Sequence, residues 1–377
     1  MTAGQLPTDE APADPPAREQ IPAAGFFSGA VAALSPRRLD RRGQAHAIVT
    51  VALLAFCLVA LPSILSTYYV DAMTQVVVYT IVALGLGLLV GRVGLVSLGQ
   101  AAVLALGAWV ATRLLFATSL PYPIVLLLAG LITMVLGTMV GLPALRMRGL
   151  YLALITLMLA GAITVVLATT NFPNGGSGFL GYNSNVVHTP AIRRPAIASS
   201  DAAFLRYSIV VAILMFLLVV WHLRSRPGRA WAAIRQSEAS ALAAGISTTR
   251  YKLWAFALAS FLTGVAGGLL AGADRFLYSI DFQPQDSITL LAVVLMGGIY
   301  NVWGAVVAGL FMQFLPPLLT SWNVSPYWLT ILFGVGALQV LTTAPAGIVD
   351  QLPKDLARLG RFIFRQFRRP VPSGGAP

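Results

Sequence analysis

Charge is scarce in this 377-residue chain: Asp, Glu, Lys and Arg make up 10% of the residues, whereas hydrophobic residues make up 57%. Soluble globular domains carry roughly 25% charged residues, so this composition excludes an ordinary water-soluble domain. The long apolar runs are continuous and do not alternate with a period of two, which disfavours a β-barrel. We therefore expect an integral membrane protein built of α-helices, because helices satisfy their own backbone hydrogen bonds in lipid.

Residues that carry covalent and metal chemistry are also few. The single cysteine, Cys57, excludes an intrachain disulfide and a cysteine-based metal cluster, and its apolar surroundings favour a small buried hydrophobe. The histidines His46, His188 and His222 lie at the ends of apolar runs or in a loop, where they cannot pair on one helix face as zinc ligands do. We expect no cofactor, no metal and no enzymatic activity.

Carboxylates are missing from the interior of the apolar runs. Asp71 is the only acidic residue between positions 43 and 200. Because proton-coupled carriers commonly depend on ionisable groups inside the membrane, this absence disfavours a proton-driven carrier, while sodium held by backbone and hydroxyl oxygens stays open. The chain also lacks a G-x-x-x-x-G-K-[ST] phosphate loop, since its only lysines are Lys252 and Lys354. If ATP drives this protein, another subunit binds the nucleotide.

Apolar runs give the expected architecture, an all-α polytopic membrane protein of about ten transmembrane helices. Basic residues in "SPRRLDRR", before the first run, place the amino terminus in the cytosol, and alternation then places the carboxy-terminal tail there too. The net charge of +12 reflects this pattern and does not indicate nucleic acid. Four arginines, Arg113, Arg193, Arg194 and Arg275, fall on the outer side as exceptions. The runs are residues 46–65, 73–91, 93–116, 122–145, 149–169, 204–223, 252–273, 286–299, 302–320 and 326–343.

Three regions follow from the runs. Residues 1–44 are expected to be a disordered cytosolic tail, because they are rich in Pro and Ala and lack the order of a signal peptide. A short interfacial helix at "IPAAGFFSGAVAAL" is the alternative. Residues 45–345 form the transmembrane domain, with an outer loop at 170–203 and a cytosolic loop at 224–252. Residues 346–377 form a basic cytosolic tail.

Glycine interrupts several runs in the way that is typical of discontinuous helices in transporters. The stretch "GLGLLVGRVGLVSLGQAAVLALGA" from Gly85 predicts unwinding near Ser97 to Gln100, or a close approach by a neighbouring helix. Residues 73–169 and 252–343 each hold four runs and are entered from opposite sides, so they suggest two halves of inverted topology. No sequence repeat accompanies this pattern.

The cytosolic loop contains "SRPGRAWAAIRQSEASALAAGI" from Ser225, in which good helix formers predict a helix over 229–244 that Gly245 caps. Helical spacing places an apolar stripe with one acid on one face, which fits a groove on a partner. Arg235 and Glu238, three residues apart, are expected to pair. A solvated positive-inside loop is the alternative. The stripe residues are Trp231, Ile234, Glu238 and Leu242.

The segment "GRAWAAIRQSEASALAAGISTTRYKLWAFALASFLTGVAGGL" resembles the cytoplasmic coupling loop and following helix of ABC importer permeases. The closest resemblance is to the branched-chain amino acid permease family, of the LivM type. Further blocks in the same order are "GLVSLGQAAVLALGAWVA" from Gly94, "RGLYLALITL" from Arg148, "GGSGFLG" from Gly175 and "ITLLAVVLMGG" from Ile288. The resemblance covers residues 73–343 and leaves out both tails.

The resemblance implies one of two membrane subunits of an ATP-driven importer in the bacterial inner membrane, the two being different chains in the family's usual pattern. Two cytosolic ATPases would engage the loop, and an extracytoplasmic binding protein would deliver an amino acid to the outer loop. Its coupling residues would be Gly228, Arg229, Trp231, Ile234, Arg235, Glu238, Leu242 and Gly245.

A pathway for the solute is expected to be lined by Ser97, Gly99, Gln100 and Thr156. The alternatives are close helix packing at the first three of these residues and a hydrogen bond from Thr156 to its own helix. In the outer loop, Gly175, Gly176 and Gly178 are either turn residues or docking contacts.

Two blocks depart from the family's pattern. Val103 stands where Phe is usual, and Gly297 and Gly298 are followed by Ile299, Tyr300 and Asn301 instead of completing Gly-Gly-x-Gly. Neither departure is expected to touch the coupling segment, so both bear on the substrate more than on the mechanism. Leucine, isoleucine and valine are the expected solutes, with urea or short amides next. An ion-coupled carrier and a structural membrane protein remain alternatives, although broken spans argue against the latter.

Overall fold

A computed structural model describes residues 61–144, 149–169, 191–278, 281–325, 327–343, 347–349 and 351 of the chain. The two tails, Cys57 and the outer-loop glycines Gly175, Gly176 and Gly178 lie outside these residues. Within the described ranges almost every residue is helical and no strand occurs. The all-α prediction is therefore confirmed.

After a single turn at Leu61–Ile64, the helices are numbered here in chain order. The first half holds α1 (Thr67–Gly87), α2 (Gln100–Ala117), α3 (Tyr122–Ala144), α4 (Leu150–Thr169) and α5 (Asp201–Arg224). Two short helices follow, α6 (Arg226–Gln236) and α7 (Glu238–Ala243). The second half holds α8 (Thr248–Asp274), α9 (Pro284–Gly297), α10 (Gly304–Gln313), α11 (Leu315–Ser321) and α12 (Tyr327–Thr343).

Seven helices in the described part of the chain are long and apolar enough to cross a membrane. Two expected spans are shorter: α9 has 14 residues and begins at a proline, and α12 has 17 residues. The run at 302–320 is divided between α10 and α11 at Phe314, two residues before Pro316. The first expected run lies almost wholly outside the described residues.

The run after Gly85 is discontinuous, as its glycines predict. A π-helical segment, Leu88–Val93, continues α1 and ends at Gly94, whose φ of +81° suits a residue without a side chain. The next residues are not helical, and α2 begins only at Gln100. The prediction of unwinding near Ser97 is confirmed.

Helix α8 forms the centre of the protein and packs against α1, α2 and α3. Glycine permits these contacts: a Cβ atom added to Gly107 of α2 would lie 2.6 Å from the Cα of Gly264 in α8. With 27 residues at roughly 1.5 Å per residue, α8 is about 40 Å long, which is enough to cross a membrane. It therefore links the two ends of the protein.

The helix contacts follow the inverted halves that the apolar runs suggest. Helix α3 of the first half packs on α8, and α10 of the second half packs on α1 in the corresponding way. The contact of α2 with α4 corresponds to that of α9 with α12, and α2 with α3 to α9 with α10. Three contacts are thus reproduced when the halves are exchanged, whereas the extensive packing of α2 on α8 has only a slight counterpart between α9 and α1. The three corresponding contacts support an inverted repeat without a visible sequence repeat.

Candidate functional site

The cytosolic loop forms two helices and not one. Its backbone is extended at Ser237, with φ −163° and ψ 119°, and the Ser237 hydroxyl accepts a hydrogen bond from the amide of Ser240 at 3.3 Å. Serine favours such a helix start because its side chain replaces a missing backbone acceptor. The single stripe that the spacing predicts is therefore wrong, since α7 turns away from the direction of α6.

Helix α6 is anchored to its own chain by its apolar side. Trp231 is fully buried, and its indole Nε1 donates to the backbone oxygen of Tyr251 in α8 at 2.8 Å. Ile234, one turn further on, is also buried. Trp231 thus fastens the loop to α8, and neither buried side chain is available to a separate subunit.

The charged residues of the loop make different pairs from those expected. Glu238 binds Lys252 of α8, with 2.5 Å between Oε1 and Nζ. Arg235 instead stacks on Tyr300, with its guanidinium carbon 4.5 Å from the ring centre, and its Nη2 donates to the Tyr300 hydroxyl at 2.7 Å. The expected pair of Arg235 with Glu238 is wrong because the break at Ser237 separates their helices.

Two glycines and an arginine complete the loop. A Cβ atom on Gly228 would lie 2.5 Å from the carbonyl carbon of Leu223, so glycine allows α6 to turn back tightly against the end of α5. Gly245 has a φ of +78° and its amide donates to Leu242, while the amide of Ile246 donates to Ala241. These bonds form a Schellman motif, and the predicted cap is confirmed. Arg229 is exposed and donates to the Arg224 oxygen at 3.3 Å.

A small exposed surface remains once the anchors are buried. We name it the coupling face, and at its centre Leu242 is 57% exposed among alanines. Exposed leucine beside small residues is the kind of shallow apolar knob that fits a groove on a partner. Of the expected stripe, only Leu242 belongs to this surface. The coupling face consists of Ala232, Arg235, Gln236, Ala239, Ser240, Leu242 and Ala243.

The expected pathway residues lie at the break before α2, and three of them share one cavity. Ser97, Gly99 and Thr156 line a void of about 10 Å³, room for about one water molecule, together with apolar side chains such as Phe256. The Thr156 hydroxyl accepts from the amide of Leu98 at 2.9 Å and donates to Ala153 at 2.9 Å. Thr156 thus bonds to its own helix and also holds the broken segment.

Gln100 does not join that cavity. It is buried in the first turn of α2, where its Oε1 accepts from the hydroxyl of Thr263 in α8 at 2.9 Å. Nearby, the Ser287 hydroxyl of α9 accepts from the amide of Ala101 at 3.0 Å. Thr263 and Ser287 were not among the expected site residues, because a lone hydroxyl in an apolar run gives no sign of which neighbour it meets.

At the opposite end of the protein, Arg194 closes the end of α8. Its side chain is buried, pairs with Asp201 at the start of α5, and donates to the Gly272 oxygen at 2.6 Å and the Ala273 oxygen at 2.8 Å. Arg275 also lies 3.6 Å from Asp201. Two of the four arginines that depart from the positive-inside pattern therefore share the single negative charge of Asp201.

Comparison with known proteins agrees with this architecture. The family model described as "Branched-chain amino acid transport system / permease component" matches residues 68–341. The chain is 30% identical over 301 residues to the high-affinity branched-chain amino acid transport system permease protein LivM of Salmonella typhimurium, which covers 75% of this chain and 70% of that protein. For LivM of Escherichia coli the values are 29% over 309 residues, 77% and 72%.

No solved structure matches the chain. The family match extends over α1 to α12, and the relatives are permease proteins and not enzymes by name. The spans of the described residues agree with a multi-pass membrane protein. The chain belongs to the branched-chain amino acid transport system permease family.

Proposed function

We propose that this chain is the permease subunit of an ATP-driven importer that moves branched-chain or other apolar amino acids across the bacterial inner membrane. The observation that carries the proposal is the arrangement of α6 and α7. Leu242 is exposed on this pair of helices, while Trp231 and Glu238 bind α8. Residues 45–345 would form the permease domain. ATP hydrolysis would belong to separate subunits, because the chain has no phosphate-binding loop.

The distribution of charge supports a cytosolic position for the coupling face. Its end of the protein carries many basic residues, with Glu238 as the acid of the loop, whereas carboxylates mark the ends of helices on the opposite side. The basic residues are Arg92, Arg224, Arg226, Arg229, Arg235, Arg250 and Lys252, and the opposite carboxylates are Asp71, Asp201, Asp274, Asp281 and Asp286. Both chain termini would then be cytosolic.

The partners follow from these two ends. A pair of cytosolic ATPases would bind the coupling faces of this chain and of a second, different permease subunit. An extracytoplasmic binding protein would dock at the opposite end, where Arg194 holds residues 191–200 against α8. Gly175, Gly176 and Gly178 of the outer loop remain candidate contacts for it.

Energy coupling would use α8 as the moving part. Trp231 and the Glu238–Lys252 pair join α6 and α7 to its first turns, so a displacement of the loop carries α8 with it. Because α8 touches Gln100 through Thr263, the displacement reaches the break before α2. ATP binding would shift the populations of two arrangements of these packed helices.

The solute would pass along the broken segment at Ser97–Gln100. The void there holds about one water molecule, which is far too small for leucine, so this arrangement would be the closed one. Its lining is mainly aliphatic and aromatic, which suits an apolar side chain better than urea. Passage would require the broken segment before α2 to separate from α4 at the Leu98–Thr156 hydrogen bond.

A reconstituted complex tests the proposal. We would measure ATP-dependent uptake of radiolabelled leucine into proteoliposomes that contain this chain, its neighbouring-gene permease and ATPases, and the binding protein. The variant Leu242→Asp adds a charge to the exposed knob, and Leu120→Asp adds it to a residue that is 37% exposed at the opposite end. We expect uptake and ATPase attachment to fail only in Leu242→Asp.

Other results would change the proposal. Uptake that continues without ATPases and stops when the ion gradient is dissipated would indicate a secondary carrier. Uptake of urea or short amides but not of leucine would retain the importer and change its substrate. Full uptake by Leu242→Asp would remove the coupling face as the ATPase contact.

A further inference from the structure

Tyr300 lies in the turn between α9 and α10 and is held from two directions by arginine. Arg235 of α6 covers its ring at 4.5 Å and donates to its hydroxyl at 2.7 Å. Arg92, in the last turn of the π-helical segment, donates to its backbone oxygen at 2.8 Å. Tyr300 therefore joins α6 to the π-helical segment that precedes the break at Gly94–Gly99.

The turn that carries Tyr300 is closely fitted to the π-helical segment. A Cβ atom on Gly91 would lie 2.8 Å from the carbonyl carbon of Ile299, so the two backbones touch. Within the turn, the amide of Gly304 donates to Asn301 at 2.9 Å and that of Trp303 to the Asn301 side chain at 3.1 Å. These contacts join the backbone of the turn closely to the π-helical segment and to the side chain of Asn301.

A small cavity lies beside the turn. A cavity of about 20 Å³, enough for about one water molecule, separates Tyr300 from α1 and α5, and Leu88, Arg92 and Val219 are among its lining residues. The contact with Arg235 is a cation–π interaction with a hydrogen bond to a neutral hydroxyl, and no ion pair of Arg235 occurs among the described residues. Such a contact holds its geometry without the cost of burying paired charges.

We propose that Tyr300 is a positioning residue that transmits the displacement of α6 to both helix discontinuities. Through Arg92 it acts on the break before α2, and through its own backbone it acts on the turn between α9 and α10. The inference rests on the proposed function and adds a second route beside α8. The proposal also gives Tyr300, which departs from the family's Gly-Gly-x-Gly block, a role in coupling. From the sequence alone this departure was expected to bear on the substrate.

The test measures how many amino acid molecules enter per ATP hydrolysed in proteoliposomes with the complete complex.

Two variants separate the ring of Tyr300 from its hydroxyl. Tyr300→Ala removes the ring, whereas Tyr300→Phe keeps the ring over Arg235 and loses only the hydroxyl. Loss of a charge-assisted contact changes a coupled equilibrium by about tenfold. We expect about a tenfold fall in transport per ATP for Tyr300→Ala with ATPase activity retained, and a smaller fall for Tyr300→Phe.

A matched variant and a cycle exclude a general effect on folding. Tyr278→Ala removes an exposed tyrosine at the opposite end of the protein and should leave the ratio unchanged. Tyr300→Ala should lower the ratio much less in an Arg235→Ala background than in the wild type, because the contact between the two side chains is already absent there. Equal ratios in wild type and Tyr300→Ala, or additive losses in the double variant, would overturn the proposal. Failure of wild-type uptake would refute the proposed function instead.

Discussion

The indole nitrogen of Trp231 donates a hydrogen bond to the backbone oxygen of Tyr251 across 2.8 Å, which ties the coupling helix to the first turn of α8. The Glu238–Lys252 pair joins α7 to the residue that directly follows Tyr251 in α8. The loop and the central helix are therefore one mechanical piece at this end of the protein.

Replacement of Trp231 should destabilise the chain as well as the coupling. Trp231→Ala removes a fully buried aromatic side chain, which costs about 3–5 kcal/mol. Trp231→Phe should cost less because most of the packing remains and one hydrogen bond is lost. The melting temperature of the purified protein in detergent measures both, with the exposed Trp322→Ala as the control. Equal melting temperatures for Trp231→Ala and the control would contradict the anchoring role.

The Glu238–Lys252 pair should respond unequally to loss of its two partners. Glu238→Ala leaves the buried ammonium of Lys252 without its carboxylate, at a cost of about 1–3 kcal/mol. Lys252→Met leaves a carboxylate whose side chain is 39% exposed, so water solvates it and the loss should be under about 1 kcal/mol.

Thermal unfolding of the two single variants and the double variant measures this asymmetry. We expect the double variant to lie close to Lys252→Met, because removal of the lysine also removes the stranded charge. Equal losses in both single variants would mean that the pair is no more than a surface ion pair.

Glycines of opposite environment should give opposite results when replaced by alanine. A Cβ atom on Gly264 would lie 2.6 Å from the Cβ of Thr133 and 3.0 Å from the oxygen of Ala129, so Gly264→Ala forces α3 away from α8 and costs about 1–3 kcal/mol. Gly334 lies exposed in α12 with nothing within 4 Å of an added Cβ. Gly334→Ala should stabilise by about 0.5–1 kcal/mol in a helix. Melting temperatures that fall in both variants would contradict the close packing of α3 on α8.

Much of this architecture could be predicted from the sequence, because the length of an apolar run and the backbone freedom of a glycine depend only on nearby residues. Continuous apolar runs predict the spans, and the glycines from Gly85 onward predict either unwinding or a close helix approach near Ser97, of which the structure has the unwound segment. Gly245 predicts its own cap because few residues other than glycine adopt a positive φ there. Each of these properties depends on one short stretch of chain.

The contacts of the coupling loop could not be read in the same way, because they depend on residues distant in the sequence. A helical stripe assumes one straight helix, and the break at Ser237 turned Leu242 outward while Trp231 turned inward. Tyr300 lies 65 residues after Arg235, and nothing near either residue indicates their contact. Lys252 carried the better signal, since it is one of only two lysines in the chain and lies in the first turn of a span.

Arg194 should control the order of the outer segment without affecting the coupling end. Its guanidinium binds two terminal carbonyl oxygens of α8 and the carboxylate of Asp201, so Arg194→Ala frees the last turn of α8 as well as residues 191–200. Arg194→Lys keeps the charge but cannot reach all three acceptors, because an ammonium lacks the planar fork of a guanidinium. We expect faster amide hydrogen exchange across 191–200 in Arg194→Ala, an intermediate rate in Arg194→Lys, and unchanged exchange in α6.

Since Arg193 is the adjacent arginine, Arg193→Ala is the matched control. Unchanged exchange at Ile192, whose amide donates to the Arg275 oxygen at 2.9 Å, would show that this backbone bond and not Arg194 holds the segment.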